Sequence, residues 1–269
     1  MKRLIFTLII CTLATGVFAQ NSKTDSVKAK KAAGRKLSSV DDATDINFSK
    51  SKDTVIHEHS KAPGFSWGLT FARFDFGFST LLDNGSFKLS PQNEFLRYRS
   101  WKTSNVGFDV VQFSYRFNST FRMYLSGGFD WTNIRLRDNI TILQNQPVLT
   151  YRQDDIDYSK NRFSSTYLRI PLTFDFRTKE DYNGGSFHFV FGPEGGVLLG
   201  GKVKQISDEN GKQKAFNDYH FTKYTYGPFL RVGYAGFGIF AKYYMNNMFE
   251  NSPEQDGLKN FSFGMSFIF

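Results

Sequence analysis

Large apolar residues alternate with small or polar residues through most of the chain from Phe65 to its end. The alternation is clearest in the last segment, Phe261–Phe269, where large apolar side chains occupy the odd positions and small ones most of the even positions. Because successive side chains of a β-strand point to opposite faces, this pattern predicts a strand with one continuous apolar face. A transmembrane β-strand, which has lipid on one side and a crowded lumen on the other, is typically built in this way.

Eight segments with strand character are separated by turn signals, and none has a convincing helical period. They are Phe65–Leu82, Val106–Phe117, Phe121–Leu136, Tyr167–Arg177, Phe187–Leu199, Phe221–Tyr234, Phe237–Met248 and Phe261–Phe269. Their connections alternate between short turns (118–120, 178–186 and 235–236) and long loops (83–105, 137–166, 200–220 and 249–260). The pattern predicts an all-β fold, an eight-stranded antiparallel transmembrane β-barrel with both termini on the side of the short turns.

Parity within each strand predicts which side chains face lipid and which face the lumen. On the fourth segment, Leu168, Leu172 and Phe174 share one face, while charged residues share the other. The first segment changes parity near Ala72, which predicts a β-bulge there. The second segment also changes parity before Phe113.

Twelve charged residues are predicted to face the lumen. They are Arg73, Asp75, Arg116, Arg122, Asp130, Arg169, Asp175, Arg177, Glu194, Lys223, Arg231 and Lys242. Since the interior of an eight-stranded barrel is just wide enough for its own side chains, burying these charges requires that they pair. The favoured interpretation is a plug of ion pairs with Glu194 as a central partner. With eight bases against four acids, some bases must lie near the wet ends or bind an anion. A small channel or ligand-binding barrel is the alternative.

The N-terminal residues have the pattern of an export signal. A basic start, an apolar run over Leu4–Leu13 and a small-x-small site ending at Ala19 predict a signal peptide over residues 1–19. A lipoprotein signal that uses Cys11 is disfavoured because Ile10 is bulky. Cys11 is the only cysteine, so a mature chain has neither a disulfide nor a thiolate metal site. Residues 20–62 are predicted to be a flexible basic periplasmic tail, and residues 63–269 the barrel.

Composition fits an exported membrane barrel. The chain has 31 Phe and 13 Tyr, which suit a lipid-facing band with aromatic girdles. The formal net charge is +9, and it falls to +7 when Lys2 and Arg3 leave with the signal (9 − 2). For an exported chain, this charge indicates outer-membrane lipid and lipopolysaccharide as partners rather than nucleic acid.

No motif predicts a metal, a cofactor or catalysis. The 57–59 segment, His-Glu-His, lacks further ligands at useful spacing, and the acidic 154–157 loop lacks the Gly and distal Glu of a recognised calcium loop. His188 has Ser186 two positions before it, but an acyl-transfer site also needs a carboxylate held in the same unit. Lumen filling is therefore favoured for His188, and a lipid-modifying membrane enzyme is the weakest alternative.

Several motifs carry a family resemblance. Tyr167–Leu172 (YLRIPL), Phe191–Gly196 (FGPEGG), Gly227-Pro228 and the FSFGMSF ending resemble the outer-membrane β-barrel family that includes PorT-like proteins. The resemblance implies an integral outer-membrane protein of a Gram-negative cell. It also implies assembly machinery that recognises Phe269. Some relatives serve the type IX secretion system, so a periplasmic or secretion-system partner is a further expectation, although the long basic tail departs from the simplest members.

Taken with the strand pattern, the resemblance predicts a non-enzymatic barrel with a plugged lumen and no cofactor. Its expected role is structural or accessory, exerted through the loops and the tail.

Overall fold

The computed structural model describes residues 63–70, 73–180, 182 and 184–268. The signal peptide, the basic tail with its His-Glu-His segment, Ala72 and Phe269 lie outside these residues. The first strand begins at Gly64, one residue after the predicted start of the barrel.

Twelve strands make up most of the described chain. They are β1 (Gly64–Leu69), β2 (Arg73–Asp83), β3 (Ser104–Arg116), β4 (Phe121–Arg135), β5 (Ile140–Ile142), β6 (Tyr151–Gln153), β7 (Lys160–Arg177), β8 (Phe187–Ser207), β9 (Gly211–Asn217), β10 (Tyr224–Tyr234), β11 (Phe237–Tyr243) and β12 (Leu258–Ile268). Short 3-10 helices cover Pro91–Leu96, Ser100–Lys102 and Pro253–Gln255. Within the described residues, no helix is long and apolar enough to cross a membrane.

Eight of the strands close into a ring. Each pairs antiparallel with the next in the order β2, β3, β4, β7, β8, β10, β11 and β12, and β12 pairs with β2 to complete it. The short β1 lies beside the second half of β3, so β1 and β2 together correspond to the first predicted strand. The predicted eight-stranded antiparallel barrel is therefore confirmed.

Two strands of the ring extend by seven or more residues beyond their predicted bounds. β7 begins at Lys160 instead of Tyr167, and β8 continues beyond Leu199 to Ser207 before β9 returns along its edge. Apart from Ile206, the outward side of these extensions carries polar or charged residues, so it lacks the alternation of large apolar residues that is typical of lipid-facing strands. They form a wall that continues past the apolar part of the barrel.

The two predicted parity changes are seen in the exposed side chains. Trp67 and Leu69 point outward on β1, whereas Phe74 and Phe76 do so on β2. In β3 the pairing with β4 shifts between Asp109 and Val111, as a β-bulge requires. From the bulge onward, the opposite set of β3 side chains faces the lumen.

The two ends of the barrel differ in their connections. At the short-turn end, the strands are joined by residues 117–120, 178–186 and 235–236. At the long-loop end, the connections pack around a hydrophobic core, here called the loop-end core. It consists of Leu81, Leu96, Ile134, Leu136, Ile140, Ile142, Leu149, Phe163, Val203, Tyr219, Phe221, Met248, Phe249 and Leu258. Phe163 stacks on Phe221 with 4.6 Å between ring centroids, so strand and loop side chains pack together across this end.

Candidate functional site

Eight buried charged side chains fill the middle of the barrel. This set, called the lumen network, comprises Arg73, Asp75, Asp109, Asp130, Arg169, Glu194, Arg231 and Lys242, and each is at most 6% exposed. Four are basic and four are acidic, so their formal charges cancel. The alternating strand pattern places them there, because each occupies an inward position between outward apolar or small residues.

Asp75 is the centre of the lumen network. Its Oδ2 lies 2.8 Å from Arg169 Nη1, 2.8 Å from Arg231 Nη2 and 3.4 Å from Lys242 Nζ. Ser266 Oγ donates a hydrogen bond of 2.8 Å to its Oδ1. One carboxylate on β2 thus meets cations from three other strands, β7, β10 and β11, and a hydroxyl from β12.

Arg169 joins Asp75 to a second carboxylate. Its Nη2 lies 2.7 Å from Asp109 Oδ1. Asp109 Oδ2 lies 3.3 Å from Arg73 Nη1, and the Arg73 guanidinium lies over the Tyr124 ring, 3.6 Å from its centroid. Gly107 makes room for this arrangement, because a Cβ there would collide with the Arg169 guanidinium.

Asp130 and Glu194 complete the network. Asp130 Oδ2 lies 2.7 Å from Lys242 Nζ, and its Oδ1 accepts a hydrogen bond of 2.6 Å from Asn105 Nδ2. Glu194 Oε1 accepts a hydrogen bond of 3.2 Å from Tyr244, while its Oε2 is 3.9 Å from Arg169 Nη1. The central position expected for Glu194 therefore belongs to Asp75.

The other predicted lumen residues lie away from the network. Arg116 and Arg122 are half-buried at the short-turn end, and Arg177 Nε lies 3.2 Å from Asp175 Oδ2 there. The inward placement of Lys223 is wrong. It precedes the first residue of β10, its side chain is 68% exposed, and its Nζ lies 3.5 Å from Glu250 at the long-loop end.

Asp109 and Gly107 are absent from the predicted lumen residues. Both lie on β3 before the bulge, where the odd-numbered side chains face inward. The signal was present in the parity change before Phe113, which puts Asp109 on the lumen side of the first half of the strand. The buried network is balanced although the predicted set had a surplus of bases, because Asp109 is added and five predicted residues lie outside it. These are the exposed Lys223 and the short-turn-end residues Arg116, Arg122, Asp175 and Arg177.

The loops at the long-loop end are tied to the barrel by Asp83, the last residue of β2. Its Oδ2 accepts hydrogen bonds from Ser90 N (2.7 Å), Ser90 Oγ (2.6 Å) and Asn93 Nδ2 (2.9 Å). Burial raises the pKa of Asp83, but these hydrogen bonds favour the carboxylate more strongly and leave the pKa below its ordinary value.

A small cavity lies beside the lumen network. It has a volume of about 20 Å³, is lined in part by Asp130 and Tyr244, and has room for about one water molecule.

Ser186, His188 and Asp175 form a hydrogen-bonded chain at the short-turn end. Ser186 Oγ lies 3.1 Å from His188 Nε2, and His188 Nδ1 lies 3.1 Å from Asp175 Oδ1. The pairing of Ser186 with His188 follows from their spacing in the sequence, whereas the position of Asp175 beside them does not. The backbone N–H of Phe187 donates to Thr178 Oγ1 at 2.9 Å, so this donor next to Ser186 already has a partner.

The acidic 154–157 loop uses its oxygens internally. Asp154 Oδ1 accepts a hydrogen bond of 2.8 Å from Arg152 Nε, and its Oδ2 accepts one from Tyr158 (3.1 Å) and one from Thr141. Across the ranges that the structure describes, no cluster of three or more His, Cys, Asp or Glu side chains could hold a metal ion.

A closed antiparallel ring with an apolar outside and a charged inside defines a membrane-spanning β-barrel. The family model for the outer membrane protein β-barrel domain matches residues 48–250, so the chain belongs to this family of outer-membrane proteins.

Two solved structures of Ail, the attachment invasion locus protein of Yersinia pestis, are similar to the chain. Their sequence identities are 14% and 16%, and their TM-scores are 0.31 and 0.30. Each match covers 78% of this chain and 100% of Ail. One of them is in complex with the heparin analogue sucrose octasulfate. No curated protein matches the chain.

Proposed function

We propose that this protein is a non-enzymatic outer-membrane barrel with a closed lumen, which acts through the surface of its long-loop end. In this proposal the short turns and both termini are periplasmic, and the long loops face the outside. The observation that carries it is the lumen network, in which four bases and four acids are buried together. The loop-end core provides a second barrier of packed apolar side chains.

A conducting pore needs a continuous wet path with charges free to meet ions. The bases of the lumen network instead have carboxylate neighbours, with Asp75 shared among three of them. The predicted surplus of lumen bases had to lie near the wet ends or bind an anion. In the lumen network four bases meet four acids, while Arg116, Arg122 and Arg177 lie at the short-turn end. This balance supports a plug over the small channel or ligand-binding barrel.

We expect purified protein in planar bilayers to show no steady conductance steps. A matched variant, Asp75→Ala with Arg231→Ala, removes one buried pair without changing the net charge and should raise the conductance by opening space in the lumen. Incorporation of both proteins is measured by protein recovery from the bilayer lipid. Large, stable, anion-selective conductance in the wild-type protein would overturn the closed-lumen proposal in favour of a channel.

A second candidate function, lipid modification, is favoured by the Ser186–His188–Asp175 chain. Its geometry allows His188 to accept the Ser186 proton while Asp175 holds the other ring nitrogen, as nucleophilic acyl transfer requires. We rank it below the first because the Phe187 N–H, a natural donor to a developing oxyanion, is bonded to Thr178.

The test for the second candidate is release of fatty acid from phospholipid or lipopolysaccharide by the purified barrel. We expect no release above that of the Ser186→Ala and His188→Ala variants. Release by the wild-type protein that both substitutions abolish would establish the enzyme instead.

The proposals for other partners are based on the family resemblance of the sequence. We propose that the assembly machinery engages the chain through Phe269, and that a periplasmic or secretion-system protein binds the basic tail. A PorT-like role is part of the same proposal.

A further inference from the structure

Seven cations form one patch on the outer wall near the long-loop end. This patch, called the basic face, consists of Arg135, Lys160, Arg162, Lys202, Lys204, Lys212 and Lys214. All belong to β4, β7, β8 and β9, and all point away from the lumen. Within the described residues, none of the seven is paired with a carboxylate.

Four of the cations stand in a single row across four strands. Arg135 is directly opposite Arg162, Arg162 is opposite Lys204, and Lys204 is opposite Lys214. Like charges at directly opposite positions destabilise a sheet. The repulsion also acts on the neighbouring row, where Arg162, followed by partial burial, lowers the pKa of Lys160. A fold that maintains this row gains stability when an anion lies against it.

Protection of a sheet edge explains only part of the basic face. β9 pairs with β8 alone, and lysines on such an edge strand discourage pairing with another chain. Lys212 and Lys214 fit that role. Arg162 and Lys204 do not, because their strands are paired on both sides. The Nε of Arg162 is buried and has no hydrogen-bond partner, so a donor on this face is unused.

The height of the basic face above the apolar band identifies its surroundings. Leu168 is the last large apolar side chain on the outward side of β7, and the basic face lies four to eight residues beyond it, from Ser164 (opposite Lys202) to Lys160. At about 3.3 Å per residue and a strand tilt of about 40°, this places the cations roughly 10–20 Å above Leu168. That level lies beyond the acyl chains, in the headgroup and saccharide layer of the surrounding leaflet.

A groove at the lower edge of the basic face has mixed chemistry. It is an open groove of about 700 Å³, lined by Thr166, Leu199, Lys202, Phe216 and Asp218, among others. Phe216 is 70% exposed, and the Lys202 ammonium lies 5.8 Å from its ring centroid. An exposed leucine, an open aromatic ring and a cation together suit a phosphorylated sugar that is attached to a lipid.

We propose that the basic face binds the phosphorylated saccharide headgroups of the lipopolysaccharide that surrounds the barrel. Strand side chains stand perpendicular to their sheet, so these cations point sideways into the leaflet instead of upward toward a molecule arriving from solution. The proposal rests on the outward orientation of the long-loop end that is part of the proposed function, but not on the closed lumen. A conducting wild-type protein would therefore overturn the closed lumen alone, and a lack of lipopolysaccharide binding would overturn this proposal alone.

The test uses the full chain in neutral detergent, titrated with purified lipopolysaccharide or with lipopolysaccharide from which the phosphates have been removed. The test variant is Arg162→Gln with Lys204→Gln and Lys214→Gln. Its matched control removes three exposed cations elsewhere at the same end, through Lys88→Gln, Lys102→Gln and Arg137→Gln. Because each cation near an anionic surface contributes about fivefold, the test variant should lose roughly a hundredfold in affinity for intact lipopolysaccharide, and the control far less.

Three outcomes would overturn the proposal. The first is that the wild-type protein and the test variant bind intact lipopolysaccharide with equal affinity. The second is that the wild-type protein binds phosphate-free lipopolysaccharide as tightly as the intact form. The third is that it prefers a soluble sulfated polysaccharide to lipopolysaccharide. If the triple variant fails to fold, the single change Arg162→Gln should still lower affinity about fivefold. In addition, lipopolysaccharide should raise the unfolding temperature of the wild-type protein at low salt, and no rise would contradict the binding.

Discussion

Replacing Asp75 with asparagine is expected to destabilise the folded barrel by about 3–5 kcal/mol, the usual cost of leaving buried charges without their partner. Arg169, Arg231 and Lys242 all meet this one carboxylate, and Asp75 is fully buried. Barrel proteins resist unfolding in detergent because every backbone group is paired. The folded and unfolded forms can therefore be separated by migration without boiling, and their ratio followed against urea concentration.

Glu194→Gln is the matched control for Asp75→Asn. Glu194 is as deeply buried, but its nearest cation lies 3.9 Å away and its one described hydrogen bond comes from Tyr244. We expect a clearly smaller loss of stability, since the change removes one distant attraction instead of three close ones. Equal losses for the two variants would show that Asp75 is not the centre of the network.

Leu172→Arg is expected to cost about 2–4 kcal/mol, because it places a cation at lipid depth near the membrane midplane. Leu172 lies halfway along the outward row from Leu168 to Phe176. The measurement is the same urea titration, made in lipid vesicles so that the bilayer is present. Thr166→Arg is the depth control, since Thr166 points outward on the same strand but lies beyond the apolar row, where the cost falls to about 0–1 kcal/mol. Similar costs at the two positions would contradict the placement of the band.

The parity of Thr173, the inward neighbour of Leu172, does not by itself predict whether an arginine is tolerated there. Because Thr173 points into a charged lumen, the sequence pattern favours tolerance of an arginine there. In the structure Thr173 is fully buried, so an arginine has no space and would overpack the interior. The parity of a residue predicts its direction, whereas tolerance also depends on the space across the lumen.

The strands could be predicted because lipid selects apolar residues at every second position, as on Leu168–Phe176. The loop-end core could not be predicted in this way. Leu149 and Phe249 lie in loops, and Ile140 lies in β5, a strand of three residues that is too short to show a period. The individual ion pairs were also beyond prediction. Arg231 meets Asp75 across 156 residues of sequence, and parity alone does not give the height of a side chain in the barrel.

Asp75 has a consequence for the order in which the barrel is built. Its partners come from β7, β10, β11 and β12, so its carboxylate acquires them only when the C-terminal strands arrive. A half-built sheet would expose Asp75 without those partners, at a large cost in lipid. Insertion strand by strand is thus disfavoured. The chain is expected to pair β2 with β12 before its lumen side chains can be exposed to lipid.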